Sequence, residues 1–157
     1  MDDAQRQEQK DFISKQLEPN LADARQGLKH VYFVDAAHFV LQPFIGLLWC
    51  FQRWFVYSAA GRQRFNVLGA LNAMTHEVVT ITNDTYINAV SVCDLLKKLA
   101  MKHAQKGVTL FLDNARYQKC KLVQDLASEL NINLIYLPAY SPNLKVIERL
   151  WRHVKQQ

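Results

Sequence analysis

The chain has 157 residues, half of them hydrophobic and 21% charged, which is the composition of one globular domain with a real core. Nineteen Lys and Arg against fourteen Asp and Glu leave a net charge of +5, an excess that suits a polyanionic partner without requiring one. Cys50, Cys93 and Cys120 are odd in number and far apart, with no Cys-x-x-Cys or His-x-x-x-His spacing, so a disulfide framework and a zinc site are both disfavoured.

Residues 1–28 are rich in Gln, Asp, Lys and Glu, with scattered apolar positions at Phe12, Ile13 and Leu17. They predict a polar helical connector or arm whose helix ends before Pro19. The opening Met1-Asp2-Asp3-Ala4 is no signal peptide, and the most apolar window, 39–51, is interrupted by Gln42, Pro43 and Gly46 and is too short to cross a bilayer. The expected compartment is the cytoplasm.

From Lys29 the pattern changes. Residues 31–34 read as a buried strand, by their apolar run and β-branching. Residues 39–58 are aromatic-rich and fit neither period. Residues 65–73 and 77–82 read as an antiparallel hairpin turning near Thr75-His76. Val92, Leu95, Leu96 and Leu99 recur at helical spacing and predict a helix over 88–103. Residues 108–112 form the next strand. Leu122, Val123, Leu126, Ala127 and Leu130 mark another helix, and 132–137 a strand stopped by Pro138. Ser141-Pro142 then starts a helix with the stripe Leu144, Ile147, Leu150, Trp151 and Val154. The order predicts an α/β fold: a mixed five-stranded sheet, its first three strands antiparallel and followed by β-α-β units, with helices packed on it.

Three acids stand out against this pattern. Asp35 closes the first apolar strand and Asp113 closes the strand 108–112, while Glu148 lies on the last helix, one position past Ile147 at the edge of its buried stripe. If the first strand lies centrally beside 108–112, the two aspartates are neighbours at adjacent strand ends. Three carboxylates at one point repel unless a cation lies between them. Hard oxygen donors in that number suit Mg²⁺ or Mn²⁺.

These residues resemble the Asp-Asp-Glu catalytic core of retroviral-integrase-like transposases. The 34 residues between Asp113 and Glu148 are similar to the spacing in the mariner-like superfamily, and especially in its bacterial insertion-sequence branch. Local strings carry the likeness further. Val34-Asp35-Ala36-Ala37-His38-Phe39 resembles the first-aspartate motif, Asn66-Val67-Leu68-Gly69-Ala70-Leu71 the second-strand signature, and Leu112-Asp113-Asn114-Ala115 the second-aspartate motif. Leu137-Pro138-Ala139-Tyr140-Ser141-Pro142-Asn143-Leu144, with Ile147-Glu148-Arg149-Leu150-Trp151, resembles the glutamate motif. The chain departs from the family at Lys145-Val146 and at Arg116-Tyr117, where many members carry other residues.

The resemblance implies an RNase H-like catalytic domain over 29–157, ending soon after the glutamate helix. It implies DNA strand cleavage and strand transfer with two Mg²⁺ or Mn²⁺ ions, Asp35 bridging both and Asp113 and Glu148 completing one each. It also implies partners: transposon-end and target DNA, a separate N-terminal helix-turn-helix reader, and a second copy of the chain. A cytoplasmic, nucleoid-associated protein follows. Candidate DNA contacts beside the acids are His38, Asn114, Arg116, Lys119, Lys121, Lys145, Arg149 and Arg152. Two alternatives stay open: a transposon-derived DNA-binding fragment that does not cut, and an RNase H-like nuclease without strand transfer.

Overall fold

The computed structural model describes residues 3–41 and 63–139. Helix α1 (Asp3–Phe12) runs into a π-helical stretch (Ile13–Leu17) and then α2 (Glu18–Arg25). Strand β1 (Lys29–Leu41), the antiparallel pair β2 (Gln63–Asn72) and β3 (Val78–Asn83), α3 (Ala89–Lys102), β4 (Gly107–Leu112), a 3₁₀ turn (Arg116–Gln118), α4 (Lys121–Glu129) and β5 (Ile132–Tyr136) follow. The expected last helix, with Glu148, Lys145, Arg149 and Arg152, lies outside the described residues, as does most of the aromatic stretch 39–58.

The five strands form one sheet in the order β3-β2-β1-β4-β5. The β1–β2 and β2–β3 pairs are antiparallel, and β1–β4 and β4–β5 are parallel. The mixed sheet is therefore the expected one, with β1 central. Its side chains alternate between two buried layers, which is why residues 31–34 read as a continuous apolar run. Tyr32 and Val34 join α3 and α4 through Val92, Leu95, Leu96, Leu99, Val123 and Ala127. Val31, Phe33 and Ala37 face the other way, with Val67, Leu71, Phe111 and Leu137.

That second layer is covered in part by the N-terminal helices. Phe12, Ile13, Leu17 and Leu21 pack on it, and Ala24 is buried within it. The helix does not end before Pro19. The Glu18 N–H bonds back to the Ile13 carbonyl, five residues away, and Pro19 then falls in the first turn of α2, where its missing N–H costs nothing. Gly27, at φ +74°, ends α2 in a Schellman turn: its N–H donates to Ala24 O at 3.0 Å and that of Leu28 to Asp23 O at 3.0 Å. Lys29 Nζ then ties β1 to α2 by donating to Asn20 Oδ1 at 2.8 Å and pairing with Asp23 at 3.2 Å.

On the other face α3 starts in a reciprocal cap. Asn88 Oδ1 accepts the Ser91 N–H at 3.1 Å, and Ser91 Oγ accepts the Asn88 N–H at 3.4 Å. Among the described residues no helix is long and apolar enough to cross a membrane.

Candidate active site

Strand register places the two aspartates. Phe33 faces Phe111 in the parallel β1–β4 ladder. Asp35 and Asp113 each stand two residues further on, so they share a level, one strand apart, and a face of the sheet. Neighbouring strands lie about 4.8 Å apart, which puts the two carboxylates within reach of one cation. Both residues are half-buried. Below them the rings of Phe33 and Phe111 stack at 5.4 Å and 24°, an apolar floor that fixes the spacing of the strands just before the acids. On the other side of Asp35 its antiparallel partner is Gly69, so β2 sets no side chain beside it.

Asp113 sits where β4 leaves the sheet. Its Oδ1 accepts the Asn114 N–H at 2.8 Å, and Asn114 Nδ2 donates to Leu137 O at 2.6 Å. The Leu137 N–H in turn donates to Leu112 O at 2.8 Å. Just beyond, Tyr136 donates its hydroxyl to Gln118 O at 2.8 Å, which binds the 3₁₀ turn to β5. Burial pushes the Tyr136 phenol above its ordinary pKa, so it stays a donor. Lys119 Nζ stands 5.1 Å from the centre of the Tyr136 ring. Arg116, Lys119 and Lys121 are all exposed at the sheet end where the acids lie.

His38 lies three residues past Asp35, and strand alternation puts it on the opposite face. Its Nδ1 lies 2.6 Å from Asn66 Oδ1. Asn66 is buried and its amide nitrogen donates to Asn83 Oδ1 at 3.2 Å and Thr85 O at 2.7 Å. Its oxygen must therefore accept, which assigns the proton to His38 Nδ1 and leaves Nε2 at the exposed edge. Asn66 was not among the sequence candidates; an Asn inside an otherwise apolar strand was the available signal.

Among the described residues no group of three His, Cys, Asp or Glu side chains could hold a metal ion. Two of the three expected carboxylates are described and one is not. The donors present fit the expected ion in kind: two carboxylates in register, offering hard oxygens from one face. The other cluster of titratable rings lies at the opposite end of the sheet. There the His30 and His103 rings stack at 3.7 Å, and the buried Tyr32 hydroxyl lies 2.5 Å from His103 Nε2. Burial lowers the pKa of both histidines, helped by Lys106 at His30, and by His30 and Lys102 at His103, where Glu77 opposes.

Residues 30–157 match the family described as DDE superfamily endonuclease. The chain belongs to that family. This DDE superfamily chain is similar to a curated insertion-element protein: the IS630 uncharacterized 39 kDa protein of Shigella sonnei is 29% identical over 126 residues. That match covers 78% of this chain and 36% of the relative, so the chain spans only part of the relative's length. Among the solved structures that share the fold of this DDE domain are a transposase and an integrase. The Mos1 transposase paired-end complex with left transposon end superposes with a TM-score of 0.66 at 14% identity, over 99% of this chain and 49% of that one. The catalytic core domain of BIV integrase superposes with a TM-score of 0.53 at 17% identity, over 82% and 68%. The RNase H-like architecture expected from the motifs is thus the fold observed.

Proposed function

We propose that this chain is the catalytic domain of a DNA transposase that cuts and joins DNA strands with divalent metal ions. The observation that carries the reading is the parallel β1–β4 register, whose last pair Phe33–Phe111 stands two residues before Asp35 and Asp113 in a DDE superfamily domain. Glu148, with 34 residues between it and Asp113, is the proposed third ligand. Mg²⁺ or Mn²⁺ held there would supply an activated water or 3′-hydroxyl and stabilise the leaving oxygen.

The protein's own contribution is placement. Asp35, within β1, and Asp113, just past β4, follow the stacked Phe33–Phe111 pair at the same level of the sheet, where their carboxylates would hold the ion between them. Arg116, Lys119 and Lys121, and in sequence Lys145, Arg149 and Arg152, offer cations to DNA phosphates around the acids. His38 and Asn114 are already bonded within the protein, so their contribution to DNA is through the groups left over: Nε2 of His38 and the second amide proton of Asn114. The partners proposed are transposon-end and target DNA, a helix-turn-helix module to choose the ends, and a second copy of the chain. Such a protein works on the nucleoid.

The test is an assay on labelled duplexes, with and without element ends, in Mg²⁺ or Mn²⁺. Nicking and joined products are expected, and Asp35→Asn, Asp113→Asn and Glu148→Gln should each abolish both. Nicking without joining would favour a nuclease, and cleavage that survives all three substitutions would sink the assignment.

A further inference from the structure

Asp113 differs from Asp35 in its support. Asp35 lies within β1, with the strand continuing for six residues and paired to β2 throughout. Asp113 lies one residue past the end of β4, where the backbone has left the ladder. Bonds from outside the β4 ladder therefore contribute to holding its carboxylate, and the Asn114 N–H is one of them.

We propose that Asn114 is a positioning residue for Asp113, acting as a clamp between the exits of β4 and β5. Its side chain and backbone do separate jobs. The backbone N–H holds one oxygen of the Asp113 carboxylate at 2.8 Å. That N–H can do so only while the Asn114 peptide keeps its orientation. The side-chain amide sets the orientation by donating to Leu137 O at 2.6 Å. Leu137 is itself fixed: the residue is 3% exposed and its N–H donates to Leu112 O at 2.8 Å. The ring of bonds runs Leu112, Leu137, Asn114, Asp113 and back along the chain. Leu137 therefore couples the level of the acid to the start of the segment that carries Glu148 in sequence.

The donor is what the position requires. Leu137 O is an acceptor, so an Asp of the same shape would oppose it, and an Ala or Ser would not reach it. Losing the clamp removes one constraint on the orientation of the Asp113 carboxylate, and the ordering cost of that constraint then falls on the metal. Partners that orient a ligand are worth about 10- to 100-fold in metal affinity. An Asn bonding a nearby backbone carbonyl is also a common purely structural device, so the test must separate the two.

The inference rests on the metal-binding reading of the acids, and the experiment keeps the two apart. Mn²⁺ binding is measured on the whole chain by calorimetry, and thermal denaturation in chelator, for wild type, Asn114→Ala, Asp113→Asn and Asn72→Ala. Asn72 is the control for a structural role: its Oδ1 accepts from Met74 N and Thr75 N at the β2–β3 turn. Asn114→Ala should weaken Mn²⁺ about tenfold and lower the melting temperature no more than Asn72→Ala, which should bind Mn²⁺ as wild type does. Wild-type Mn²⁺ affinity in Asn114→Ala overturns the clamp. Wild-type affinity in Asp113→Asn overturns the metal site beneath it. Should Asn114→Ala not fold, Asn114→Ser is read in the same way.

Discussion

The N-terminal helices reach the acid-bearing face through one aromatic contact that can be measured. Phe111 is fully buried, stacked on Phe33, and met edge-on by Phe12 with ring centres 6.1 Å apart at 79°. Truncating a fully buried Phe to Ala costs about 3–5 kcal/mol. Melting falls about 2–4 °C per kcal/mol in a chain of this size. Phe111→Ala should therefore lower the midpoint by roughly 6–20 °C. Phe12 is only half-buried, and Phe12→Ala should cost about 1–2 kcal/mol. The informative quantity is the coupling between them. An edge-to-face pair contributes about 0.5–1.5 kcal/mol beyond area, and the double variant should fall short of additivity by that amount. Urea denaturation of the four proteins gives the cycle. A coupling below about 0.3 kcal/mol, the usual additivity error, would mean that α1 does not rest on the sheet in solution. The segment would then be the detached polar arm that its composition suggests.

Other expectations follow from the charged and polar clusters. Both His30 and His103 have folded pKa values below their ordinary one, so the unfolded chain takes up protons first. Their contribution to stability should be complete above about pH 6.5 and lost as the pH falls below it; His30→Gln should flatten that acid limb in melts across pH 4.5–8 (roughly the window in which histidine titrates), and an unchanged limb would contradict it. Neutralising Lys119 and Lys121 together should reduce the slope of log affinity against log salt by about 1–2 on duplex DNA, equally for all sequences, whereas an altered sequence preference would mean that they read bases. Asn66→Ala should cost about 1–3 kcal/mol in urea denaturation, because it strands Asn83 Oδ1, Thr85 O and the His38 Nδ1 proton together; a loss below about 0.5 kcal/mol would show the network to be incidental.

The sheet was legible because its strands carry strong periods. Residues 108–112 and 132–137 are short apolar runs between helices with clear stripes, and the observed β4 and β5 agree with them to within a residue at either end. The extension of β1 to Leu41 was not legible. Asp35 and His38 break the apolar run, and the strand persists there by its ladder with β2, which is a tertiary cause. The passage of the helix beyond Pro19 was hidden for a similar reason, since it depends on a change of hydrogen-bond span just before the proline. At the site, the expected placing of β1 beside β4 is the one observed, with Phe33 and Phe111 paired two residues before Asp35 and Asp113. The placement of His38 on the other face was available from parity alone, three residues from Asp35. The bonds of Asn114 and Asn66 were not, because their partners, Leu137, Asn83 and Thr85, are at least 17 residues away in sequence.

The π-helical stretch between α1 and α2 sets the phase of one helix against the other. Phe12 and Leu21 are nine positions apart, and at about 100° per residue an unbroken α-helix would turn them to opposite sides. Yet both rest on the same layer. Taking one residue out of the count brings Leu21 to about 80° and Ala24 to about 20° from Phe12, which is what a single wide turn accomplishes. The chain here is thus one residue longer than the surface it covers needs, and the surplus is stored as a bulge. A copy shorter by one residue between positions 13 and 17 would close into plain α-helix with both halves still facing the sheet. Angular alignment, rather than length, is what this docking demands.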